Sequence, residues 1–395
     1  MKRPARKLFD LCASTGVACV LFLLLFVLTF LGTVEQVQSG LYDVQQRYFH
    51  SLFVVHWAGG VVPLPLPGAY LLMTLLLVNL ICGGIVRMRK DWARAGVLVT
   101  HVGIALLLVG GFVRARSAVE GHMTLYEGER ADEFESYYEW EMAIAEVKAG
   151  GECTEYAIPG AEFAGTASGG SMTFVREELP FDLTVSGYAR NAVPRPASGP
   201  MGGGARTVDG FYLEPLVAVK QAEQNIPGVY VTVRDHKTGG SHEAILWGMQ
   251  RCPAVIESGG RRWAVDLRKV RRQLPFTIAL DKFTRELHPR TSIPKVFMSE
   301  VTKIEDGASE QARISMNEPF RYRGYTFYQA SWGPPNAQPG QPLYSTLAVV
   351  RNPAENAPLY ASVVIVFGLG LHFGVRLWRH LRTEHLPGRP AGGAR

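Results

Sequence analysis

Charge is the first thing this sequence is short of. Only 19% of its 395 residues are Asp, Glu, Lys or Arg, against a hydrophobic share of 47%. Together with a mean hydropathy of +0.05, this excludes a disordered chain and argues against an ordinary soluble enzyme. Cysteine is scarce too. The five residues, at 12, 19, 82, 153 and 252, form no CxxC and no CxxCH, which argues against a structural zinc site and against covalent haem attachment. Nucleophile elbow, phosphate-binding loop, dinucleotide fingerprint, paired-carboxylate motif, HxH and HExxH are all missing, so no motif assigns a catalytic class.

What the sequence does have is four uncharged apolar runs, at 17–32, 61–86, 95–113 and 357–375. Each supplies a stretch near the ~20 residues that cross a ~30 Å hydrocarbon core. The first is the shortest and follows MKRPARK, as a signal peptide would. It lacks an A-x-A cleavage site, and three further runs follow it. Lys2, Arg3, Arg6 and Lys7 precede the first run. Arg87, Arg89, Lys90 and Arg94 separate the second from the third, and Arg376, Arg379, Arg382, Arg389 and Arg395 follow the last. The 34–60 loop offers only Arg47. Basic residues favour the cytoplasmic side, so this pattern predicts four spans in an inner (cytoplasmic) membrane, with both termini inside and a large extracytoplasmic, periplasmic domain.

That orientation also dissects the formal net charge of +6. Segment 114–356 holds 27 basic and 30 acidic residues, a net of −3, so the excess positive charge belongs to the inner rim. No nucleic-acid footprint is left.

The expected organisation is a basic N-terminus (1–16), three transmembrane helices (17–113), an extracytoplasmic β domain (114–356), a fourth helix (357–377) and a basic tail (378–395). Within 38–53, Leu41, Val44, Tyr48 and Leu52 keep helical spacing. This predicts an aromatic-rich amphipathic helix, lying either at the outer interface or under the β domain. The β domain is expected to be sandwich-like, from strand-like runs at 229–235, 261–267, 322–332 and 345–350. Segments 158–172 and 194–210, rich in Gly, Ala and Ser, read as loops. LPFDLTVSGYARNAVPR (179–195) and LPFTIALDKFTRELHPR (274–290) align without gaps, a weak repeat that suggests a duplicated β module. In both copies Pro after Leu suits the entry of an edge strand.

Two histidines stand inside apolar runs, His101 and His372. Ionisable groups in a bilayer are costly and point by default to function. Counted at 1.5 Å per residue from Arg94 and Arg376, both lie about 6–10 Å from the inner basic edge. Neutral imidazole is a good axial ligand for haem iron, and Gly103, Ala105, Gly368, Gly370 and Gly374 beside these residues would let a flat macrocycle approach. The competing reading is that each imidazole bonds a neighbouring helix carbonyl while the glycines serve close helix packing. His50 and His56 bracket the outer loop beside Trp57. His122, His236, His242 and His288 show no metal-like spacing. Cys153 and Cys252 form either a disulfide or two unpaired thiols.

LGTVEQVQSGLYDVQQRYFHS (31–51), LPFTIALDKFTRELHPRTSIPKVFMSEVTKI (274–304), ISMNEPFRYRGYTFYQASW (314–332) and LAVVRNP (347–353) resemble the ResB (CcsB) family. The order of three spans, outer domain and final span is similar as well. The resemblance implies a membrane subunit of the system II cytochrome c maturation complex. Such a subunit works with a CcsA/ResC-type partner, carrying b-type haem across the membrane as transported substrate and presenting it to apocytochrome c. It implies a subunit of a haem-attachment complex that is not itself catalytic. No Trp-rich haem-handling segment occurs in this chain, where Trp332 and Trp378 stand alone. The partner is therefore expected in trans. His101 corresponds to the family's third-span His and His372 to a last-span His of some relatives, making both candidate cofactor-binding residues, as ligands of haem iron. Asn317, Gly324 and Gln329 match signature positions to which the resemblance gives no chemical role. Two other function classes stay open on the residues alone: a b-type membrane cytochrome using His101 and His372 for electron transfer, and a cofactor-free membrane-anchored interaction domain.

Overall fold

The computed structural model describes residues 3–148, 154–197, 206–287, 294–334, 337–338 and 341–384. The chain divides into two units, Met1–Ala118 with Asn352–Arg395, and Val119–Arg351. The helices are α1 (Arg3–Cys12), α2 (Thr15–Ser39), α3 (Leu41–Val44), α4 (Ala69–Asn79), α5 (Ala95–Ser117), the single turn α6 (Gly160–Phe163) and α7 (Ala357–Glu384). Wider π-helical turns extend α3 over Gln45–Phe49 and α4 over Leu80–Val86. Among the described residues, four helical stretches are long and apolar enough to cross a membrane: Thr15–Ser39, Ala69–Val86, Ala95–Ser117 and Ala357–Arg382.

In the first unit, Leu21 and Leu28 of α2 pack against Leu72 and Leu76 of α4, with Val44, Tyr48 and Val54 completing the cluster. The amphipathic helix is thus shorter than the sequence suggests. Its buried residues face the span helices, and Tyr48 is fully enclosed. The second span also starts later than expected. Residues 53–67 form a hairpin of β1 (Phe53–Ala58) and β2 (Val62–Pro67), turned by Gly59 and Gly60 with φ of 61° and 75°. Pro63, Pro65 and Pro67 recur every second residue and face Trp57, Val55 and Phe53. Three prolines at that spacing forbid helix, and an edge strand tolerates their missing N–H groups.

Helices α5 and α7 approach closely because Gly96, Gly103 and Gly110 recur at seven-residue intervals along α5. A Cβ on Gly96 would collide with the backbone nitrogen of His372, one on Gly103 would lie 2.7 Å from Ile365 Cγ1, and one on Gly110 would lie 2.5 Å from Ala357 Cβ. In return, Gly368 receives Thr100, whose backbone nitrogen would be 2.6 Å from an added Cβ. Between apolar helices in lipid, such small-residue seams supply the van der Waals contact that the hydrophobic effect cannot.

The second unit is mainly β, as the strand-like runs lead one to expect. Its strands are β3 (Val119–Tyr126), β4 (Arg130–Glu146), β5 (Glu155–Pro159), β6 (Ser171–Phe174), β7 (Phe181–Ala189), β8 (Ala192–Pro196), β9 (Phe211–Pro215), β10 (Gly228–Asp235), β11 (Ser241–Trp247), β12 (Ala254–Ser258), β13 (Arg261–Leu287), β14 (Pro294–Glu305), β15 (Ala308–Ser315), β16 (Phe320–Tyr322), β17 (Tyr325–Gly333) and β18 (Tyr344–Arg351). One sheet has the order β11-β10-β7-β6. The largest runs β15-β14-β13-β4-β3-β18-β17-β16, with β5 on β4 and β12 on β13.

Among the described residues two large hydrophobic cores result, beside a small cluster of Ala192, Val208, Leu213 and Tyr230, and β4 and β13 serve both large ones. Trp263, Val265 and Leu267 of β13 enter the first core, beside Met142 and Ile144 of β4. Leu274, Phe276, Ile278 and Leu280 enter the second, beside Phe134. Buried positions on β13 therefore switch from odd to even between 267 and 274. The switch spans the place where β4 pairing jumps from Lys269↔Trp140 to Arg271↔Glu135. Because side chains alternate with a period of two, such an irregularity re-aims every residue beyond it.

The two repeat segments occupy matching places in the two cores. Leu179, Phe181, Leu183 and Val185 are buried in the first, and Leu274, Phe276, Ile278 and Leu280 in the second. Neither proline begins an edge strand. Pro180 precedes the internal strand β7, and Pro275 falls in the gap between Gln273 and Ile278 where β13 is unpaired with β4. There its missing N–H costs no ladder bond. The end of the second repeat (288–290) lies outside the described residues. Segment 158–172 is more ordered than its composition suggests: α6 and a following 3-10 turn bury Phe163 and Thr166.

Gly103→Ile places a branched side chain where the α5–α7 seam has no room. It should lower the thermal midpoint of the purified full chain by several degrees, in line with about 1–3 kcal/mol of overpacking. Gly111→Ala, at a position where an added Cβ meets nothing within 4 Å, should leave the midpoint unchanged. Equal midpoints for the two variants would remove close seam packing as a source of stability.

Candidate functional site

His101 lies seven residues into α5, and its Nδ1 is 3.1 Å from the carbonyl oxygen of Gly84, in the π-helical end of the second span helix. The approach depends on Gly84 having no side chain, since a Cβ there would sit 3.1 Å from Nδ1. A carbonyl can only accept, so Nδ1 carries the proton. In the Nδ1–H tautomer the lone pair is on Nε2, the arrangement in which imidazole ligates a metal while its other nitrogen is held by a carbonyl. The two readings open on the sequence are therefore compatible: the bond to a helix carbonyl also sets the tautomer that a ligand requires.

His372 meets different neighbours. Its backbone nitrogen lies over Gly96 on the α5–α7 seam, its ring meets Phe373 edge-on at 5.4 Å, and its Nδ1 is buried without a hydrogen-bond partner. From Gly96 to His101 the helix turns by about 140°. The His372 backbone thus meets α5 on a face about 140° round from the one that carries His101, whose ring turns towards the second span helix. Among the described residues no three His, Cys, Asp or Glu side chains gather as a cage for a metal ion.

The outer-loop histidines are engaged locally. His56 Nδ1 lies 2.6 Å from the Tyr48 hydroxyl and 3.7 Å from Glu35, which also pairs with Arg47 at 3.1 Å. Burial and the neighbouring Glu35 carboxylate raise the Tyr48 phenol above its usual range, so it stays protonated. His50 stacks on Tyr70 at 5.7 Å. Sequence reading missed the contacts of Glu35 and Tyr48 with His56, which no spacing between them signals. Cys252 is exposed, and its possible partner Cys153 lies outside the described residues, as do His288 and His385.

A second polar concentration, unsignalled by any spacing, lies where β4 leaves β13. Lys269 Nζ donates to the Tyr137 carbonyl at 2.6 Å and sits 4.2 Å from the Trp140 ring centroid. His122 stacks on Tyr137 at 5.1 Å, with its Nδ1 buried and unpaired. Desolvation lowers the pKa of His122 and pushes the Lys269 amine down to about 8. The signature positions are structural. Arg323 and Gly324, with φ of 48° and 77°, form the β16–β17 turn, and Asn317 lies in the turn closed by Ser315 and Glu318. Gln329 accepts from Ser299 Oγ at 2.6 Å and donates to Ser345 Oγ at 2.9 Å. It thereby ties β14, β17 and β18 together.

Residues 244–342 match the model of the ResB-like family. Over these residues the chain is similar to that family. It is also similar to a protein described as "Cytochrome c biogenesis protein CcsB" from Prochlorococcus marinus (strain NATL1A), with 39% identity over 70 residues. That stretch is 18% of this chain and 16% of the relative, so the similarity spans about a sixth of the relative's length. Its four apolar helices make the chain an integral membrane protein. The family match falls in the β unit, from β11 to the loop after β17, and both span histidines lie outside it.

The Lys269 shift has a stability consequence of definite sign. In the folded chain the amine loses its proton near pH 8, and in the unfolded chain near 10.5. Between these values the unfolded state binds more protons, so stability rises with pH. Relative to Lys269→Met, the wild-type thermal midpoint should climb from pH 8 towards 10.5. A difference that does not vary with pH would contradict a desolvated amine.

Proposed function

We propose that this chain is the ResB-type membrane subunit of a cytochrome c biogenesis system. It handles haem as cargo together with a CcsA/ResC-type partner in trans and helps deliver it to apocytochrome c. Its inner-membrane placement has both termini cytoplasmic and the β unit outside, which the distribution of Lys and Arg around the spans supports. The observation that carries the site assignment is the His101–Gly84 hydrogen bond. It holds the proton on Nδ1 and leaves Nε2 as a ready axial ligand for haem iron. Bound haem would supply the iron, and the chain's part is to hold the imidazole in the competent tautomer and orientation. His372, with its unpaired Nδ1, is a second candidate ligand. Its backbone meets α5 at Gly96, about 140° round that helix from His101, which favours a separate position over paired ligation of one haem with His101.

The test is to purify the chain with and without its CcsA-type partner and record pyridine-haem spectra and c-type cytochrome content. His101→Ala should lower haem content at least about tenfold and abolish assembly of c-type cytochromes. Gly84→Val, which crowds the ring without removing it, should weaken haem retention by about 10–100-fold, the usual effect of disturbing a residue that orients a ligand. Haem content and cytochrome assembly that survive His101→Ala would overturn the ligand assignment. Haem-free wild-type protein co-purifying with its partner would favour a cofactor-free interaction domain.

A further inference from the structure

The N-terminal helix α1 sorts its residues by character. At 100° per residue, Pro4, Ala5, Leu8, Phe9, Leu11 and Cys12 fall within an arc of about 160°, while Arg6, Lys7 and Asp10 fall on the opposite side. The apolar arc has little protein over it: Leu8 is 63% exposed and Leu11 59%. The helix breaks at Ala13 and Ser14, and α2 begins at Thr15.

The break is fastened. Asn79 Nδ2 donates to the Cys12 carbonyl at 2.6 Å and to the Ser14 carbonyl at 2.9 Å, and Arg87 donates to the Ala13 carbonyl at 3.4 Å. Gly83 admits the turn, since a Cβ there would lie 2.9 Å from the Ala13 oxygen. Three successive carbonyls at the break thereby receive side-chain donors from the second span helix, in addition to the Ala18 N–H that donates to Ser14. The same bonds hold the amphipathic helix in one orientation where the span begins.

We propose that α1 is an in-plane foot that binds anionic phospholipid. Its Leu8/Leu11 face enters the acyl boundary while Arg6 and Lys7 meet the headgroups. Two features select lipid as the occupant. The helix is two residues from a membrane span, which fixes its depth at the interface, and its polar face carries the charge that anionic headgroups attract. The proposal rests on the four-span reading and is independent of haem handling, so the two can fail separately.

The experiment is hydrogen–deuterium exchange of the full chain in nanodiscs loaded at one chain per disc. The discs contain phosphatidylcholine alone or phosphatidylcholine mixed with phosphatidylglycerol. Amides of residues 5–12 should exchange about tenfold more slowly in the mixed discs, as two basic residues at an anionic surface require. Arg6→Gln/Lys7→Gln should erase that difference, and Asp10→Asn should enlarge it. Arg6→Lys should retain it, separating charge from any loss of fold. Equal exchange in the two lipids would overturn the proposal, as would protection that appears only at two chains per disc, which would make a second copy the occupant.

Discussion

Hydrocarbon offers no hydrogen bonds, and the first unit is arranged around that constraint. Thr29, Thr33, Thr74 and Thr100 each return their hydroxyl to the carbonyl four residues back. Asn79 spends its amide on two carbonyls at the α1–α2 break, and His101 spends one nitrogen on Gly84. The threonines bond within their own helices, while Asn79 and His101 reach carbonyls at a helix break and in an irregular turn. Against that background the unpaired Nδ1 of His372 is an exception of the kind expected at functional positions.

Glycine does two separate jobs within this constraint. On α5 the seven-residue series admits α7 and makes the seam. On the second span helix, Gly83 and Gly84 sit side by side in a π-helical turn, one receiving the Ala13 carbonyl and the other the His101 ring. A widened turn frees carbonyls from regular pairing, so the irregular backbone and the missing side chains act together. Neither job is visible from composition, which shows only that small residues lie near the histidines.

Much of the architecture was legible because simple rules apply over long stretches. Apolar run length marks the spans, and short β-branched runs mark the β unit. What escaped was local. The run 61–86 is uncharged throughout, and hydropathy alone cannot distinguish Pro63–Pro67, which must be strand, from the helix that follows. The His101 site was half legible: the residue stood out as ionisable in an apolar run, but its partner Gly84 is seventeen residues away on another helix and carries no side chain to signal a role. The Lys269–Tyr137–His122 cluster was illegible for a similar reason. It exists because β4 and β13 part company at one point, and no spacing within either strand records that.

The sharing of β4 and β13 by two cores has a consequence in time. Lys269 reaches Tyr137 across 132 residues, so β4 emerges from synthesis long before the strand it pairs with. At ordinary elongation rates of about 5–20 residues per second the wait is on the order of ten seconds. Throughout it, residues of β4 that end up in both cores have neither core to enter. The first core waits for Trp263, Val265 and Leu267 of β13, and the second waits longer still, for Phe327 of β17 and Leu347 and Val349 of β18. Assembly of the β unit is therefore late and ordered, with β4 waiting first for β13 and then for the strands that follow it.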